Sequence, residues 1–357
     1  MYIIEGYRAY VLSFSLGSVQ LSLGGGMKKQ VEIDMVRTEL DELNLPRVLL
    51  DAQLVAESKL RHEFIAAATS ENTRRAYRSA IRHFLNWGGQ LPADVNALIS
   101  YLIEHAEVLN PRTLSLKLTA ISQWHRHQGF HDPCVSTQLR KVLLGIERKR
   151  GRPKQKASAL LHTDLEKIVI RLQKEDSLKA IRDNALLQIG FFGGFRRSEL
   201  VGLQVDSLNW EAEGLLIQLP KSKTDQSGEG ILKAIPYGKG ICCPCLALKK
   251  WLEHAKIHNG SIFRSVNKWG QVGESSLNAS SVNSILLESA KLSGLDHLSK
   301  ISSHSLRRGM ATSAYRAGAS FRDIKRQGGW RFDGTVQGYI EEADQFKENA
   351  MVGLLGK

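Results

Sequence analysis

Four side chains that can act on a phosphate group occur in order near the C-terminal end of the sequence: His304, Arg307, Trp330 and Tyr339. On a helix, His304 and Arg307 share one face. A glycine pair just before the tryptophan predicts a turn that allows close backbone approach. Arginine offers a planar fork to phosphate oxygens, histidine and indole N–H groups add donors, and a tyrosine hydroxyl can attack phosphorus. The run suits a phosphodiester, although a His-x-x-Arg pair by itself is also typical of an ordinary solvated helix.

A second polar run lies upstream, at residues 193–200, and reads Gly-Gly-Phe-Arg-Arg-Ser-Glu-Leu. Between the two runs lies Lys221-Ser222-Lys223-Thr224. Taken together, the runs resemble the tyrosine recombinase (phage integrase) family, the family of Cre and the Xer recombinases. The G-[FL]-R-x-S-E-L box, the H-x-x-R box, the G-G-W turn and a tyrosine nine residues after the tryptophan all match in the same order. Each motif is weak alone, and their order makes the set specific. The resemblance covers roughly residues 60–357.

The resemblance implies a DNA strand transferase that forms a 3′-phosphotyrosine and a free 5′-hydroxyl, and that needs neither ATP nor a cofactor. Arg196 and Arg307 match the two family arginines, which would stabilise the extra negative charge of a pentacoordinate phosphorus. His304 matches the family histidine, a phosphate donor or a proton acceptor. Trp330 occupies the position of a histidine or tryptophan and can only donate. Tyr339 matches the nucleophile.

The family also uses a lysine, in the hairpin between two strands, to protonate the leaving 5′-oxygen. Lys223 fits this role best, and Lys221 remains the alternative. Glu199 is expected to orient the surroundings of the first arginine. Tyr315 is the nearby rival nucleophile, but it belongs to the H-x-x-R helix and lacks the tryptophan spacing. Arg308 is adjacent to a family arginine, and its side chain is expected to point elsewhere.

The composition is that of a basic globular protein. The chain has 357 residues, which predicts two or three domains, and its net charge of +13 favours a polyanionic partner. A soluble basic enzyme without such a partner would have a similar composition. Four cysteines give no disulfide framework and favour a reducing compartment. A zinc site at Cys242-Cys243-Pro244-Cys245 would need further ligands, for which His254 and His258 lie close, and we expect no metal.

We expect a mainly α fold with a small antiparallel β-sheet, in two domains joined by a linker. Residues 1–50 are interpreted as an N-terminal extension, partly disordered, in which Met27 and Met35 are alternative starts. Residues 51–147 are predicted to form an all-α core-binding domain, and residues 148–156 a basic linker. Residues 157–357 are predicted to form an α+β catalytic domain of the tyrosine recombinase type.

Local signals within these domains predict individual elements. Thr163 with Glu166 predicts a capping box at the first helix of the catalytic domain. Two strands are predicted at residues 215–219 and 231–235, around a polar loop. The tail after Tyr339 is apolar at Phe346, Met351 and other positions, so it could fold back onto the core of its own domain. In the family that the sequence resembles, the tail more often docks into a neighbouring protomer, and we expect the same here.

Basic side chains in the helical domain and the linker are candidates for DNA-phosphate contacts. The linker also contains Arg-Gly-Arg-Pro, the core of an AT-hook, so a minor-groove peptide, a strap along phosphates and a flexible tether all remain open. The candidates are Arg74, Arg75, Arg78, Arg112, Lys117, Arg148, Arg150 and Arg152.

The partner implied by the resemblance is double-stranded DNA with an inverted-repeat recombination site. A dimer would bind each site, and a tetramer would form when two sites meet. Two rival functions remain: DNA relaxation of the type IB topoisomerase kind, and a non-catalytic architectural DNA-binding protein. No membrane span or signal peptide is predicted, so we expect a cytoplasmic protein that is associated with the bacterial nucleoid or encoded by a mobile element.

Overall fold

The computed structural model describes residues 2–5, 8–15, 18–23, 68–153, 157–219, 230–296, 300–343 and 351. For residues 2–23 and 341–343 the description covers the backbone only. The chain divides into two compact units, Met1–Lys154 and Gln155–Lys357. Among the described residues, no helix combines the length and the apolar character that crossing a membrane requires.

The N-terminal strands form a three-stranded antiparallel sheet. They are β1 (Tyr2–Glu5), β2 (Arg8–Ser15) and β3 (Ser18–Leu23), in the order β1-β2-β3. This sheet was not predicted, although β2 alternates aromatic or aliphatic residues with smaller ones, as strands often do. The first part of the predicted core-binding domain, residues 51–67, lies outside the described residues.

Four α-helices lie among the described residues of the first unit. Each begins after a residue whose side chain accepts a hydrogen bond from a backbone N–H of the first turn: Ser70, Asp94, Asn110 and Ser136. The helices are α1 (Glu71–Asn86), α2 (Val95–His105), α3 (Pro111–His127) and α4 (Thr137–Arg150). Their apolar faces enclose a core that includes Phe84, Leu98, Tyr101, Leu102, Leu114 and Ile121. Helix α4 extends to Arg150, so the start of the segment predicted as a linker is helical.

The prediction that Lys117 contacts DNA is wrong. Lys117 was expected on the outer face of α3, but its side chain is only 7% exposed. Lys117 is three residues after Leu114 and four before Ile121, so it lies within the apolar stripe that packs into the core. Burial lowers the pKa of its ammonium group. A lysine in this position is a poor candidate for a phosphate contact.

The second unit contains eight α-helices among the described residues. They are α5 (His162–Gln173), α6 (Leu178–Phe192), α7 (Arg197–Val201), α8 (Pro244–His254), α9 (Ser281–Leu292), α10 (Ser303–Arg316), α11 (Phe321–Gly328) and α12 (Asp333–Ala343). The predicted capping box of Thr163 and Glu166 is wrong. With Thr163 as the cap the helix would begin at Asp164, but α5 begins two residues earlier, at His162. The Asp164 carboxylate accepts from the Leu161 N–H at 3.0 Å.

Two small antiparallel sheets complete the second unit. One joins β4 (Leu208–Trp210), β5 (Gly214–Leu219) and β6 (Ile231–Pro236), and the other joins β7 (Arg264–Val266) to β8 (Val272–Ser276). Strands β5 and β6 agree with the two predicted strands, whereas β4, β7 and β8 were not predicted. In β6 alternate residues are buried, because one face of the strand packs on the core.

Candidate active site

The first arginine of the site follows a tight turn after α6. Gly194 in this turn has a φ of 55°, and a Cβ there would lie 2.5 Å from the Met310 Cε. The left-handed backbone favours glycine, and any larger residue would also push the end of the Met310 side chain aside. The chain then reverses into α7, and Arg196 is the residue that precedes this helix. A short helix and a glycine turn therefore position this arginine.

Glu199 holds Arg196 by two contacts. One carboxylate oxygen accepts from the backbone N–H of Arg196 at 2.8 Å, and the other accepts from its Nη1 at 2.5 Å. The Arg196 side chain is 21% exposed, while that of Glu199 is 7% exposed. The guanidinium is thus oriented from the protein side and remains partly open to a ligand.

Arg307 on α10 is buried much more deeply, at 4% exposure. Its Nη1 donates to the Gly194 carbonyl, and its guanidinium carbon lies 4.5 Å from the centre of the Trp330 ring. Its Nη2 is buried and has no hydrogen-bond partner among the described residues. Burial, and then the neighbouring positive charge of Arg196, lowers the pKa of Arg307 to about 10. The free Nη2 is a donor that suits an anionic ligand.

His304 lies on the first turn of α10, three residues before Arg307, as the H-x-x-R spacing predicted. In contrast to Arg307, the histidine is exposed to solvent. The start of this helix is anchored to α9, because the Ser303 N–H donates to the Asn283 side-chain oxygen at 2.7 Å. The helix therefore carries one exposed and one buried member of the predicted site.

The tryptophan follows a glycine turn at the end of α11. Gly329 has a left-handed backbone with a φ of 64°, and the Trp330 N–H donates back to the Lys325 carbonyl at 3.1 Å. Trp330 is 7% exposed. Its ring contacts both the Arg307 guanidinium and the Tyr339 ring, whose centre is 5.7 Å away in an edge-to-face arrangement. Trp330 therefore links the arginine to the tyrosine.

Tyr339 lies on α12 and is half-buried. The Arg308 guanidinium carbon lies 5.5 Å from the centre of its ring. Arg308 also donates to the Ala157 carbonyl at the start of the second unit. The expectation that Arg308 points away from the site is therefore wrong. The turn of α10 that carries Arg307 also places Arg308 against the helix that carries Tyr339.

The predicted hairpin lysines, Lys221 and Lys223, lie outside the described residues. A lysine that was not predicted, Lys233 on β6, is 2% exposed and close to both arginines. Its Nζ donates to the carbonyl of Gly193 at 2.7 Å and to that of Gln327. Burial, followed by the charge of Arg307, lowers the pKa of Lys233 to about 7. Its alternation with Ile231 and Ile235 was a sequence signal that it faces inward.

The basic candidates of the first unit, apart from Lys117, are at its surface or half-buried. Arg74 and Arg78 both donate to the Glu71 carboxylate, at 2.8 and 2.7 Å, and lower its pKa. Arg150 pairs with Glu107. The exposed candidates are Arg75, Arg78, Arg112, Arg148, Arg150 and Arg152.

The three neighbouring cysteines of the second unit are buried. The Cys245 thiol donates to the Ile235 carbonyl at 3.2 Å, and the Cys243 sulfur accepts from the Gly238 N–H at 3.3 Å. Across the part of the chain that the structure describes, no group of three His, Cys, Asp or Glu residues could hold a metal ion. These contacts give the cysteines a packing role.

The phage integrase family model matches residues 158–345, which is more than half of the chain. The integrase/recombinase XerD homolog of Selenomonas ruminantium is 35% identical over 87% of this chain and 92% of its own length. The chain belongs to the phage integrase family. This family assignment confirms the resemblance to tyrosine recombinases that the motifs predicted. A further relative in the family, the recombinase Cre of Escherichia phage P1, is 26% identical over 75% of this chain and 81% of its own length.

Solved structures of the phage integrase family share the fold. The XerH site-specific recombinase, in a post-cleavage complex with a palindromic difH substrate, superposes with a TM-score of 0.52 at 18% identity and covers 72% of each chain. The Tn1549 transposon integrase, bound to transposon right-end DNA, gives 0.53 at 14% identity over 84% of this chain and 98% of that one. The predicted fold class, mainly helical with small antiparallel sheets, is confirmed.

Proposed function

We propose that this chain is a site-specific DNA recombinase that cleaves and rejoins strands through a covalent 3′-phosphotyrosine, without ATP. The observation that carries the proposal is the Arg307 guanidinium. One nitrogen is held by the Gly194 carbonyl, its face lies against Trp330, and a second nitrogen is buried without a partner among the described residues. A phosphate oxygen would satisfy that nitrogen in a geometry that is already in place.

In the proposed reaction the Tyr339 hydroxyl oxygen attacks phosphorus, and the bond from phosphorus to the 5′-oxygen breaks. The tyrosine gives up its proton, and His304, which is exposed at the start of α10, is the proposed acceptor or phosphate donor. The leaving 5′-oxygen takes a proton from Lys223, with Lys221 as the alternative. In the second half, a 5′-hydroxyl of another strand attacks the phosphotyrosine and releases the tyrosine.

The extra negative charge of the pentacoordinate phosphorus would be stabilised by Arg196 and Arg307, with the Trp330 indole as a further donor. The two arginines suit this role in different ways. Arg196 is oriented by Glu199 and partly open, whereas Arg307 is fixed from the protein side and buried. Donors that are already oriented need little rearrangement as charge develops, which is how such sites lower a barrier.

The proposed substrate is double-stranded DNA with an inverted-repeat site, bound by a dimer, and two sites would meet in a tetramer. The family relative XerH is bound to a palindromic substrate. The exposed arginines of α1 and α4, and Arg112 on α3, are proposed phosphate contacts of a core-binding domain. The tail, which includes Phe346, is proposed to dock on a neighbouring protomer.

The proposal is tested by covalent trapping. A half-site is first selected for binding from a randomised duplex library, and is then made into a nicked suicide duplex from which the cleaved end diffuses away. The wild-type chain should form a denaturation-resistant protein–DNA adduct, and Tyr339→Phe should bind the duplex but form none. Tyr315→Phe is the matched control and should retain the adduct. An adduct formed by Tyr339→Phe would assign the nucleophile elsewhere, and no adduct with wild type would contradict the proposal.

A second assay separates recombinase from topoisomerase. Two copies of the selected site are placed on one supercoiled plasmid. A recombinase exchanges flanks between the copies, whereas a type IB topoisomerase only relaxes the plasmid and would do so without the site. Site-independent relaxation with no exchange would favour the topoisomerase function.

A further inference from the structure

Three successive backbone carbonyls before Arg196 accept hydrogen bonds from three different elements of the second unit. The Gln327 Nε2, at the end of α11, donates to the Phe192 carbonyl at 2.8 Å. The Lys233 Nζ, on β6, donates to the Gly193 carbonyl at 2.7 Å. The Arg307 Nη1, on α10, donates to the Gly194 carbonyl. The turn that aims Arg196 is thus held by side chains from β6, α10 and α11.

Lys233 and Gln327 also connect strand β6 directly to the end of α11. The Lys233 Nζ donates to the Gln327 carbonyl, and the Gln327 Nε2 donates to the carbonyl of Ala234 at 3.1 Å. Strand β6, the turn at residues 192–194 and the end of α11 are therefore joined pairwise by hydrogen bonds. The end of α11 leads within three residues to Trp330, which packs on Arg307.

The charge of Lys233 is costly for folding. The side chain is 2% exposed, and Arg196 and Arg307 add positive charge. The Phe195 ring, whose centre lies 5.1 Å from the Nζ, offsets part of this cost by a cation–π contact. Glu199 is the acidic group that acts on it in the opposite direction. A well-packed apolar residue is often as stable as a buried charged one, or more so. The position therefore suggests a benefit other than stability.

We infer that Lys233 is a positioning residue for strand cleavage, and that with Gln327 it holds the Arg196 turn and the Trp330 turn at a fixed spacing around the phosphate. This inference rests on the proposed function. Lys233 differs from the proposed proton donor, since two of its three donor positions are taken by backbone carbonyls. It acts through the arginine and the tryptophan that it places.

The test compares binding with cleavage in Lys233→Met, which matches the lysine side chain as far as Cε and removes the donors. Because a shift of about 1 Å at a reacting group can cost a factor of about 100, we expect single-turnover adduct formation on the selected suicide duplex to fall about tenfold to a hundredfold. Affinity for the intact half-site should stay within about twofold. Lys179→Met is the matched control, because Lys179 is an exposed lysine of the same unit, paired with Glu288, and it should leave both quantities unchanged.

A second substrate separates positioning from proton donation. In a 5′-bridging phosphorothiolate the sulfur leaves without protonation, so a variant that lacks the proton donor is rescued. Lys233→Met should lose the same factor on the oxygen and the sulfur substrate. Selective rescue by sulfur would overturn the inference and make Lys233 the acid. Wild-type cleavage by Lys233→Met would also overturn it, as would a parallel loss of binding and cleavage.

Gln327→Leu keeps the inference testable even if Lys233→Met does not fold. It removes the donors to Phe192 and Ala234 but no charge. As for Lys233→Met, we expect cleavage to be reduced while binding is retained. The loss of cleavage should be equal on the normal duplex and on the 5′-bridging phosphorothiolate. Unchanged cleavage by Gln327→Leu would overturn the inference. Failure of the proposed function is distinguishable, because the wild-type chain itself would then form no adduct.

Discussion

The cations of the two units have opposite surroundings. In the second unit, Arg307 and Lys233 are 4% and 2% exposed and donate to backbone carbonyls. In the first unit, Arg74 and Arg78 share the carboxylate of Glu71 at the surface of α1. The pKa of each buried cation is lowered, chiefly by burial. In the exposed group it is the carboxylate whose pKa is lowered, first by the Arg74 hydrogen bond.

The difference indicates two ways in which cations can bind a polyanion: as fixed, buried groups or as loosely held groups at the surface. A buried cation held by carbonyls cannot move to suit its ligand, so it favours one position of the phosphate and one charge distribution. Arg78 is exposed, and Arg74 is half-buried with a further hydrogen bond to the Thr69 carbonyl at 2.8 Å. Their ion pairs with Glu71 contribute little because they lie at the surface, so these guanidiniums are held less firmly than the buried cations and can turn toward a nearby phosphate. The first group therefore suits catalysis, and the second suits affinity.

The largest expected effect comes from Arg307→Ala. Removing one such preorganised donor typically costs a factor of about 100 to 1,000 in rate. Adduct formation on the suicide duplex should fall by that amount, while half-site affinity changes little. Arg316→Ala, an exposed arginine on the same helix, is the control. Arg307→Ala could instead reduce affinity and leave cleavage of bound DNA intact. The buried cation would then serve binding, and the division between catalytic buried cations and DNA-binding surface cations would be wrong.

The charge of Lys233 should also appear in stability. Its pKa is about 7 in the folded chain and near the ordinary 10.5 when unfolded. Above about pH 7 the unfolded chain therefore holds a proton that the folded chain lacks, so the free energy of unfolding rises with pH. The slope approaches about 1.4 kcal/mol per pH unit, the value for one proton. The groups that act on Lys233 are Arg307, Glu199 and Arg196.

The measurement is urea unfolding of wild type and Lys233→Met between about pH 7 and pH 8.5. The thiols of Cys242 and Cys245, whose pKa values burial raises to about 12 and about 11, begin to lose protons in the unfolded chain within this range. Wild type and variant share these thiols, so their effect cancels in the difference between the two proteins. The wild type should gain stability over this range relative to the variant. Parallel curves would mean that Lys233 keeps its proton throughout, and that its burial costs less than the surrounding groups suggest.

The sequence predicted the motif residues of the candidate site better than it predicted the buried lysine beside them. The order of Arg196, His304, Arg307, Trp330 and Tyr339 could be read directly, because each belongs to a motif with characteristic spacing. The sequence also predicted β5 and β6, where apolar residues and the turn residues between the strands agree. Strands β4, β7 and β8 are short and acquire their partners through tertiary packing, so local pattern did not reveal them.

Lys233 and Lys117 were missed for the same physical reason. Each lies on the face of its strand or helix that the repeating pattern of apolar residues marks as buried. Lys233 lies between Ile231 and Ile235 on that face, and Lys117 lies one helical turn after Leu114. Sequence patterns place a lysine at the surface because a buried charge is rare. Only packing shows that the strand or helix face is covered at that point. For both lysines, the spacing of the neighbouring apolar residues predicts burial better than the residue type does.

The exposed group should control affinity and its salt dependence. Replacing Arg74 and Arg78 by glutamine should weaken half-site binding severalfold. It should also lower the slope of log affinity against log salt by about 0.9 for each phosphate that the variant no longer neutralises. Adduct formation from fully bound DNA should be unchanged. Gel shifts at several salt concentrations measure the slope. A double variant that binds normally but cleaves slowly would reverse the roles of the two groups.

The smallest effect, and the sharpest test of the exposed group, is Glu71→Gln. The Glu71 carboxylate accepts from Arg74 at 2.8 Å and from Arg78 at 2.7 Å, so it competes with phosphate for both guanidiniums. Glutamine keeps the size but removes the charge, so we expect affinity for the half-site to rise by about twofold to threefold, as for loss of a surface ion pair. The salt dependence should become steeper. Glu104→Gln, on the neighbouring helix α2, controls for the change in net charge. If both variants bind equally more tightly, only overall charge matters. If Glu71→Gln alone weakens binding, the carboxylate orients the two arginines for DNA, and the exposed group is preorganised like the buried one.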